Sequence, residues 1–198
     1  GGEQGESVKA GVRCDSNATV REYRVAAINI EISLNRYLDY DPEGRMYVLE
    51  SELARARQEE SQNRNARADK AEPAVSIGLQ GDAIQPLTIR ANQGECLRIV
   101  LRNALDNGES ASLHIHGSAA YIQATGKPAL AADPDSYAVP GATVAYEWAI
   151  QPDDQEGVHY FHSHGVDRIQ AGHGLFGSLT VEPAGSVYYD PITGNPLD

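Results

Sequence analysis

Two His-x-His tripeptides, His114-Ile115-His116 and His162-Ser163-His164, each followed at once by a glycine, constrain this chain more than any other feature. Four of its six histidines lie in them. Six histidines scattered at random would give two such pairs roughly once in a hundred chains, so the spacing carries information. Both tripeptides lie in strand-like sequence, and side chains i and i+2 of a strand point the same way about 6.6 Å apart. Each tripeptide therefore presents two imidazoles to one surface. If the two strands come together, four neutral nitrogen donors converge, which is the arrangement of a metal site. Imidazole suits copper and zinc alike, so the donors alone do not choose the metal. A closed zinc site, or hydrogen-bonded histidines without metal, is the competing reading.

The remaining sequence is consistent with strands meeting in this way. After Pro73 short alternating runs recur between turn residues: Leu87 and Ile89, then Leu97, Ile99 and Leu101, then Leu113 to His116. Val144, Tyr146, Trp148 and Ile150 follow on one face, then Val158 to His164 and Leu175 to Val181. Even spacing of this kind predicts a β-sandwich or barrel, and no strand-helix alternation suggests a parallel sheet. Before this series, Ile28, Ile30, Ile32 and Leu34 alternate with polar residues, predicting a half-buried strand over 26–35. Met46 to Leu49 reads as a short strand or a covering segment. Residues 51–70 are rich in Arg, Glu, Gln, Asn and Ala with no apolar stripe beyond Leu53, and read as an exposed helix or a mobile loop with a solvated charged face.

A net charge of −12 argues against nucleic acid or an anionic membrane as a partner, and no apolar run approaches the length of a membrane span. A soluble chain is expected, with any export signal already removed. Cys14 and Cys96 are too few for a disulfide scaffold and too far apart for a Cys-x-x-Cys motif. Two ordinary thiols are the first reading, and a single disulfide the second.

The ordered set Ser112-Leu113-His114-Ile115-His116-Gly117, Pro140-Gly141, Gly157-Val158-His159-Tyr160-Phe161-His162-Ser163-His164 and Gly174-Leu175-Phe176-Gly177-Ser178-Leu179-Thr180-Val181-Glu182-Pro183 resembles the first cupredoxin domain of multicopper oxidases, of the laccase-like or metal-oxidising type. Leu87 to Glu95 is similar to the segment that opens that domain. The resemblance covers about residues 75–183 in the right order. It implies an all-β, cupredoxin-like Greek-key sandwich over 73–183, preceded by a flexible segment 1–16 and by 17–72, an N-terminal strand and charged insertion attached to the sandwich. Residues 184–198, with Asp190-Pro191-Ile192-Thr193-Gly194, would begin an interdomain linker.

By the same resemblance the cofactor is copper. His114 would bind the lone ion of a trinuclear cluster and His116, His162 and His164 the coupled pair, with the remaining ligands on another domain or chain. The family's cluster reduces dioxygen to water with electrons from a reducing substrate oxidised at a blue copper. Neither cysteine here has a histidine neighbour, so no His-Cys-His blue-copper motif can be written. The chain is expected to be inactive alone, as a fragment or one chain of a processed enzyme, working in an extracellular or periplasmic setting. Its partners would be the remaining cupredoxin domains or a chain carrying the blue copper. The alternative is a stand-alone copper- or zinc-binding module.

Other residues divide between roles. Asp133 falls where family members carry an acid that moves protons to reduced oxygen, and a turn-forming Asp before proline is the competing reading. His159, three positions from His162, faces the opposite side of its strand, suited to packing or to a hydrogen bond behind a ligand. His173, in a glycine-flanked loop, could approach the site, and an exposed or hydrogen-bonded histidine is the competing reading. Trp148 and Tyr160 read as core aromatics.

Overall fold

The computed structural model describes residues 11–35, 37–69, 82–166 and 168–197. The expected loose end over 1–10 and the junction at Pro73 lie outside them. The first strand, β1 (Val20–Asn29), leads into a small hairpin, β2 (Ile32–Ser33) and β3 (Tyr40–Asp41), followed by β4 (Arg45–Leu49) and the helix α1 (Leu53–Asp69). Next come β5 (Leu87–Asn92), β6 (Cys96–Ala104), β7 (His114–Ile115), β8 (Tyr121–Ile122), β9 (Thr143–Ala149) and β10 (Gly157–His162). The one-turn helix α2 (Ile169–Gly172), β11 (Phe176–Glu182), and a terminal hairpin of β12 (Tyr188–Tyr189) and β13 (Pro196–Leu197) complete the order.

Two sheets form the sandwich. One runs β4-β1-β6-β9-β8 and the other β5-β11-β10-β7. All their pairings are antiparallel except β1 with β6 and β11 with β5. The alternation read from the sequence supplies the interior: Leu97, Ile99 and Leu101 from β6, Tyr146 and Trp148 from β9, Phe161 from β10, and Leu179 and Val181 from β11 share one core. Each such buried side chain contributes about 1.5–3 kcal/mol relative to exposure.

The N-terminal third departs from its sequence reading. β1 lies between β4 and β6 in the five-stranded sheet. Its strand spans Val20–Asn29, ends before Ile30, and is buried on both faces in its second half. Val25 and Ala27 enter the main core, while Ala26 and Ile28 join Ile30, Met46, Val48 and Ala56 in a second cluster on the outer face. That cluster is covered by α1, which is neither a loop nor fully solvated. The helix seats itself with small and polar groups: Ala56 is fully buried, Asn63 nearly so, and the Glu59 carboxylate accepts the amide of Ala83 at 2.6 Å. Arg64 and Arg67 pair with Glu31 on the β1–β2 connection.

Both ends of the described chain are fastened. Cys14 and Cys96 form a disulfide, overturning the reading as two thiols, and the amide of Cys14 donates to the Tyr121 hydroxyl at 2.9 Å. Residues 11–16 are therefore pinned to the sheet. After Pro183 the chain folds into the β12–β13 hairpin, where the Tyr188 ring lies 5.4 and 5.5 Å from the guanidinium carbons of Arg21 and Arg90. No helix among the described residues is long and apolar enough to cross a membrane.

A cross-link spanning 82 residues limits the unfolded chain strongly. We expect the Cys14→Ser/Cys96→Ser double variant to lose roughly 4 kcal/mol of unfolding free energy, seen as a lower urea midpoint with the fold retained by circular dichroism. An unchanged midpoint contradicts a load-carrying disulfide.

Candidate metal centre

β7 and β10 place the histidines. Their ladder pairs Phe161 with Ile115 and His162 with His114, and it extends through the His116 amide, which donates to the Tyr160 carbonyl at 2.9 Å. With a period of two, Phe161 and Ile115 point into the core while His114, His116, Tyr160 and His162 share the outer face. His164 follows at the strand end, its ring 4.4 Å from that of His162 and 5.0 Å from that of His114. All four histidines named by the sequence are thus brought together, half-buried.

The donor atoms converge as well as the rings. His114, His116 and His164 each offer a nitrogen within 4.8 Å of the others. His116 Nε2 and His162 Nε2 lie 2.9 Å apart. Two imidazole nitrogens about 2.0–2.1 Å from one shared ion stand roughly 2.9–3.3 Å apart, so this pair fits one metal. The His162 contacts fit too: Nδ1 lies 3.0 Å from the Ser163 carbonyl, which can only accept, so in the neutral ring that a metal requires Nε2 is the free donor atom. The donor set is suited to copper or zinc.

Behind the ring cluster two buried serines clasp the histidine segments. Ser163 Oγ accepts the amides of Ser112 at 3.0 Å and Gly165 at 3.2 Å, and Ser112 Oγ accepts the amide of His164 at 3.0 Å. Ser163 then donates to Gln170 Oε1 at 2.6 Å, and Gln170 Nε2 donates to Glu109 and to the Ser110 carbonyl, each at 2.9 Å. Arg45 closes the chain with two bonds to Glu109, at 3.0 and 2.6 Å. The Arg45 guanidinium, helped by Gln170, holds the Glu109 carboxyl below its ordinary range. Tyr47 donates to the Ser112 carbonyl from a site so buried that its hydroxyl titrates well above the ordinary tyrosine range.

The two glycines have separate reasons. Gly117 sits at φ +72°, and a Cβ there would press within 3.3 Å of His159 Nδ1. At Gly165 a Cβ would fall 2.4 Å from both Gln170 Oε1 and the Ser110 carbonyl, so the close approach that lets Gln170 reach Ser163 excludes any side chain.

His159 faces inward, its ring nitrogens 2.9 Å from the His116 carbonyl and 2.8 Å from that of Gln155, and it supports the site from behind. His173 lies away from the cluster, paired with Asp41. Asp133 caps a short 3-10 turn, accepting the Asp135 amide at 2.9 Å, while Tyr137 in the same turn donates to the carbonyls of Ala131 and His164. Trp148 is a core aromatic as expected, but Tyr160 is not. It is 43% exposed and stacks on His162 with ring centroids 4.9 Å apart. Its two-residue spacing from His162 already required that face. Ser112, Gln170 and Glu109 were not singled out in the sequence, where nothing marks a polar residue as buried.

Comparison with known families now bears on this geometry. A family model described as "Multicopper oxidase" matches residues 60–186. The chain belongs to the multicopper oxidase family. Among solved structures, a multicopper oxidase is similar at 20% identity and TM-score 0.52, over 92% of this chain and 49% of that one. A multi-copper oxidase from Pseudomonas Thermotolerans is similar at 18% identity and TM-score 0.50, over 87% and 32%. A copper nitrite reductase from Nitrosomonas europaea reaches TM-score 0.52 at 13% identity, over 84% and 43%. These likenesses show the cupredoxin fold, and the chain spans about a third to a half of the length of the structures it matches. Comparison with curated proteins gives no match.

The buried chain behind the serines makes a pH-dependent prediction. The Glu109 contribution is full above the unfolded value of 4.5 and is lost as pH falls through the lower folded value. Glu109→Gln should therefore lower urea stability at neutral pH, with the gap from wild type closing in acid. A gap that persists unchanged in strong acid would show that the carboxylate is not its source.

Proposed function

We propose that this chain is the N-terminal cupredoxin domain of a multicopper oxidase and supplies half of the histidine ligands of a trinuclear copper cluster that reduces dioxygen to water. The observation that carries this reading is the convergence of His114, His116, His162 and His164 on one sheet face, with two of their nitrogens at the separation expected for a shared ion. Bound copper would supply the electron capacity that this four-electron reduction requires. The chain's own residues do the holding: His114 would serve the lone ion and His116, His162 and His164 the coupled pair, while the serine clasp fixes the register of the two segments.

Electrons would enter elsewhere. A blue-copper site needs a cysteine thiolate, and both cysteines of this sequence are spent in the disulfide. The partners in this reading are further cupredoxin domains or a chain with the blue copper, together with dioxygen and a reducing substrate. A disulfide and the family's habit both favour an extracellular or periplasmic setting. Asp133 is assigned a proton-relay role in addition to its capping role, because its turn is tied to the His164 carbonyl through Tyr137.

Combined with the domain that carries the blue copper, the chain should show the near-ultraviolet absorption of a bridged copper pair, and His116→Ala, His162→Ala or His164→Ala should each abolish it. Retention of that band in any of the three refutes the ligand assignment. A lone chain that holds a single ion tightly through all four histidines, with no oxidase activity on any reconstitution, would instead establish the stand-alone metal-binding module. In the complete enzyme Asp133→Asn should slow dioxygen consumption by roughly 10²-fold with copper content unchanged, whereas an unaffected rate leaves Asp133 with its capping role alone.

A further inference from the structure

Apart from the histidines, the outer face of the five-stranded sheet carries a second convergence of metal-ligating groups. Leu97 on β6 and Trp148 on β9 point into the core, so Cys96, Arg98 and Glu147 share the opposite face. Cys14, ahead of β1, is fastened onto that face. One ligand atom from each of Cys14, Cys96 and Glu147 lies within 4.8 Å of the others. The place is shielded: Cys96 is fully buried, Glu147 is 7% exposed, and Cys96 Sγ lies 3.7 Å from Glu147 Oε2. Arg98 donates to that oxygen from Nη2 at 2.8 Å and from Nε at 3.1 Å. The other carboxylate oxygen, Oε1, receives the Tyr121 hydroxyl at a long 3.5 Å and keeps lone-pair capacity for a further partner.

We propose that, once the disulfide is reduced, Cys14, Cys96 and Glu147 bind a divalent cation of the zinc type, with water as the fourth ligand. The cross-link must open first. A dithiol reductant supplies two electrons and two protons, closes into its own cyclic disulfide, and leaves Cys14 and Cys96 as thiols. The ion then takes both sulfurs as thiolates, and their two protons pass to solvent. Charge selects a dication. Two thiolates and the Glu147 carboxylate bring three negative charges into a shielded place where Arg98 supplies one positive charge, and a dication brings the sum to zero. Donor type selects zinc, because thiolate and carboxylate together suit a four-ligand zinc site, whereas calcium and magnesium take oxygen ligands. Zinc–sulfur bonds of about 2.3 Å hold two sulfurs roughly 3.7 Å apart, farther than a covalent bond allows. Cys14 can make that adjustment because it precedes the first strand, while Tyr121, which accepts its amide at 2.9 Å, keeps it near the sheet. Metal and disulfide are thus alternative fastenings of the same segment to the same strand, the metal serving a chain that has not met an oxidant. The assignment does not depend on the copper reading of the histidine face.

Cobalt(II) reports the site directly, because thiolate ligands give it a near-ultraviolet charge-transfer band that imidazole ligands do not. The full chain, reduced with dithiothreitol and freed of it under argon, should develop that band saturably with cobalt chloride, and zinc chloride should displace it. The oxidised chain should show none. Glu147→Gln should weaken cobalt binding at least roughly tenfold, a loss that even groups merely positioning a ligand produce. Zinc should also raise the urea midpoint of the reduced chain by more than that of Cys14→Ser, which keeps all four histidines and so measures whatever they contribute. Absence of the band from the reduced chain, its presence in the oxidised chain, unaltered affinity in Glu147→Gln, or an equal midpoint gain in Cys14→Ser would each overturn the proposal. Should Glu147→Gln fail to fold, Glu147→Asp replaces it with the same expected loss, since it keeps the charge beside Arg98 and withdraws the ligand oxygen by one methylene.

Discussion

The cross-strand pairing of His162 with His114 is the contact on which the metal face depends. Its register matters because a slip of β7 by one residue would turn His114 and His116 into the core and bring Ile115 to the surface, while β10 stayed in place on β11. The ladder that holds this register is short, since β7 contributes only His114 and Ile115. Two ladder pairs are weak insurance against slippage. The reciprocal bonds of Ser112 and Ser163 extend the pairing by side-chain means, just where the backbone leaves the ladder and where His164 must still be placed.

That solution commits polar groups to the interior. Gln170 is fully buried and Ser163 nearly so, and each such group left unpaired would cost about 1–3 kcal/mol. The chain from Ser163 through Gln170 and Glu109 to Arg45 avoids this by giving the donors and acceptors of each link a partner. An apolar packing of the same volume would match it in stability, as is general for buried ion pairs. It would not define one position for the His162-Ser163-His164 turn. The polar chain is therefore better understood as a device for placement, which is what a site built from four separate rings requires.

What the sequence made legible followed from short-range periodicity. The alternation in β6 and β9 marks inward residues correctly, and the two-residue spacing in each tripeptide puts its histidines on one side. The failures share a cause as well. β1 reads as half-buried because alternation shows one apolar face, the even-numbered one, yet odd-numbered Val25 and Ala27 are buried as well in the main core, and the even-numbered face is covered by α1, a helix whose contact surface is Ala56, Asn63 and Glu59. A helix that packs through alanine and hydrogen-bonded polar groups has no apolar stripe to find. The disulfide joins residues 82 apart, a distance across which sequence gives no register. Tyr160 departs for a different reason: its parity with His162 places it on the histidine face whatever its aromatic character.

The support of the metal face comes from a part of the chain that carries none of its histidines. Arg45 and Tyr47 lie on β4, ahead of residues 60–186 matched by the family model, and hold Glu109 and the Ser112 carbonyl from beneath. The same Arg45 uses its amide to fix the His173 carbonyl, so the serine clasp and the His173–Asp41 pair rest on one residue of one strand. β4 is an edge strand of the five-stranded sheet, held by β1 alone on its paired side. The burial of β1 on both faces thereby acquires a purpose beyond stability. It anchors the edge strand whose outward and inward groups set the positions of ligands more than 60 residues later in the chain.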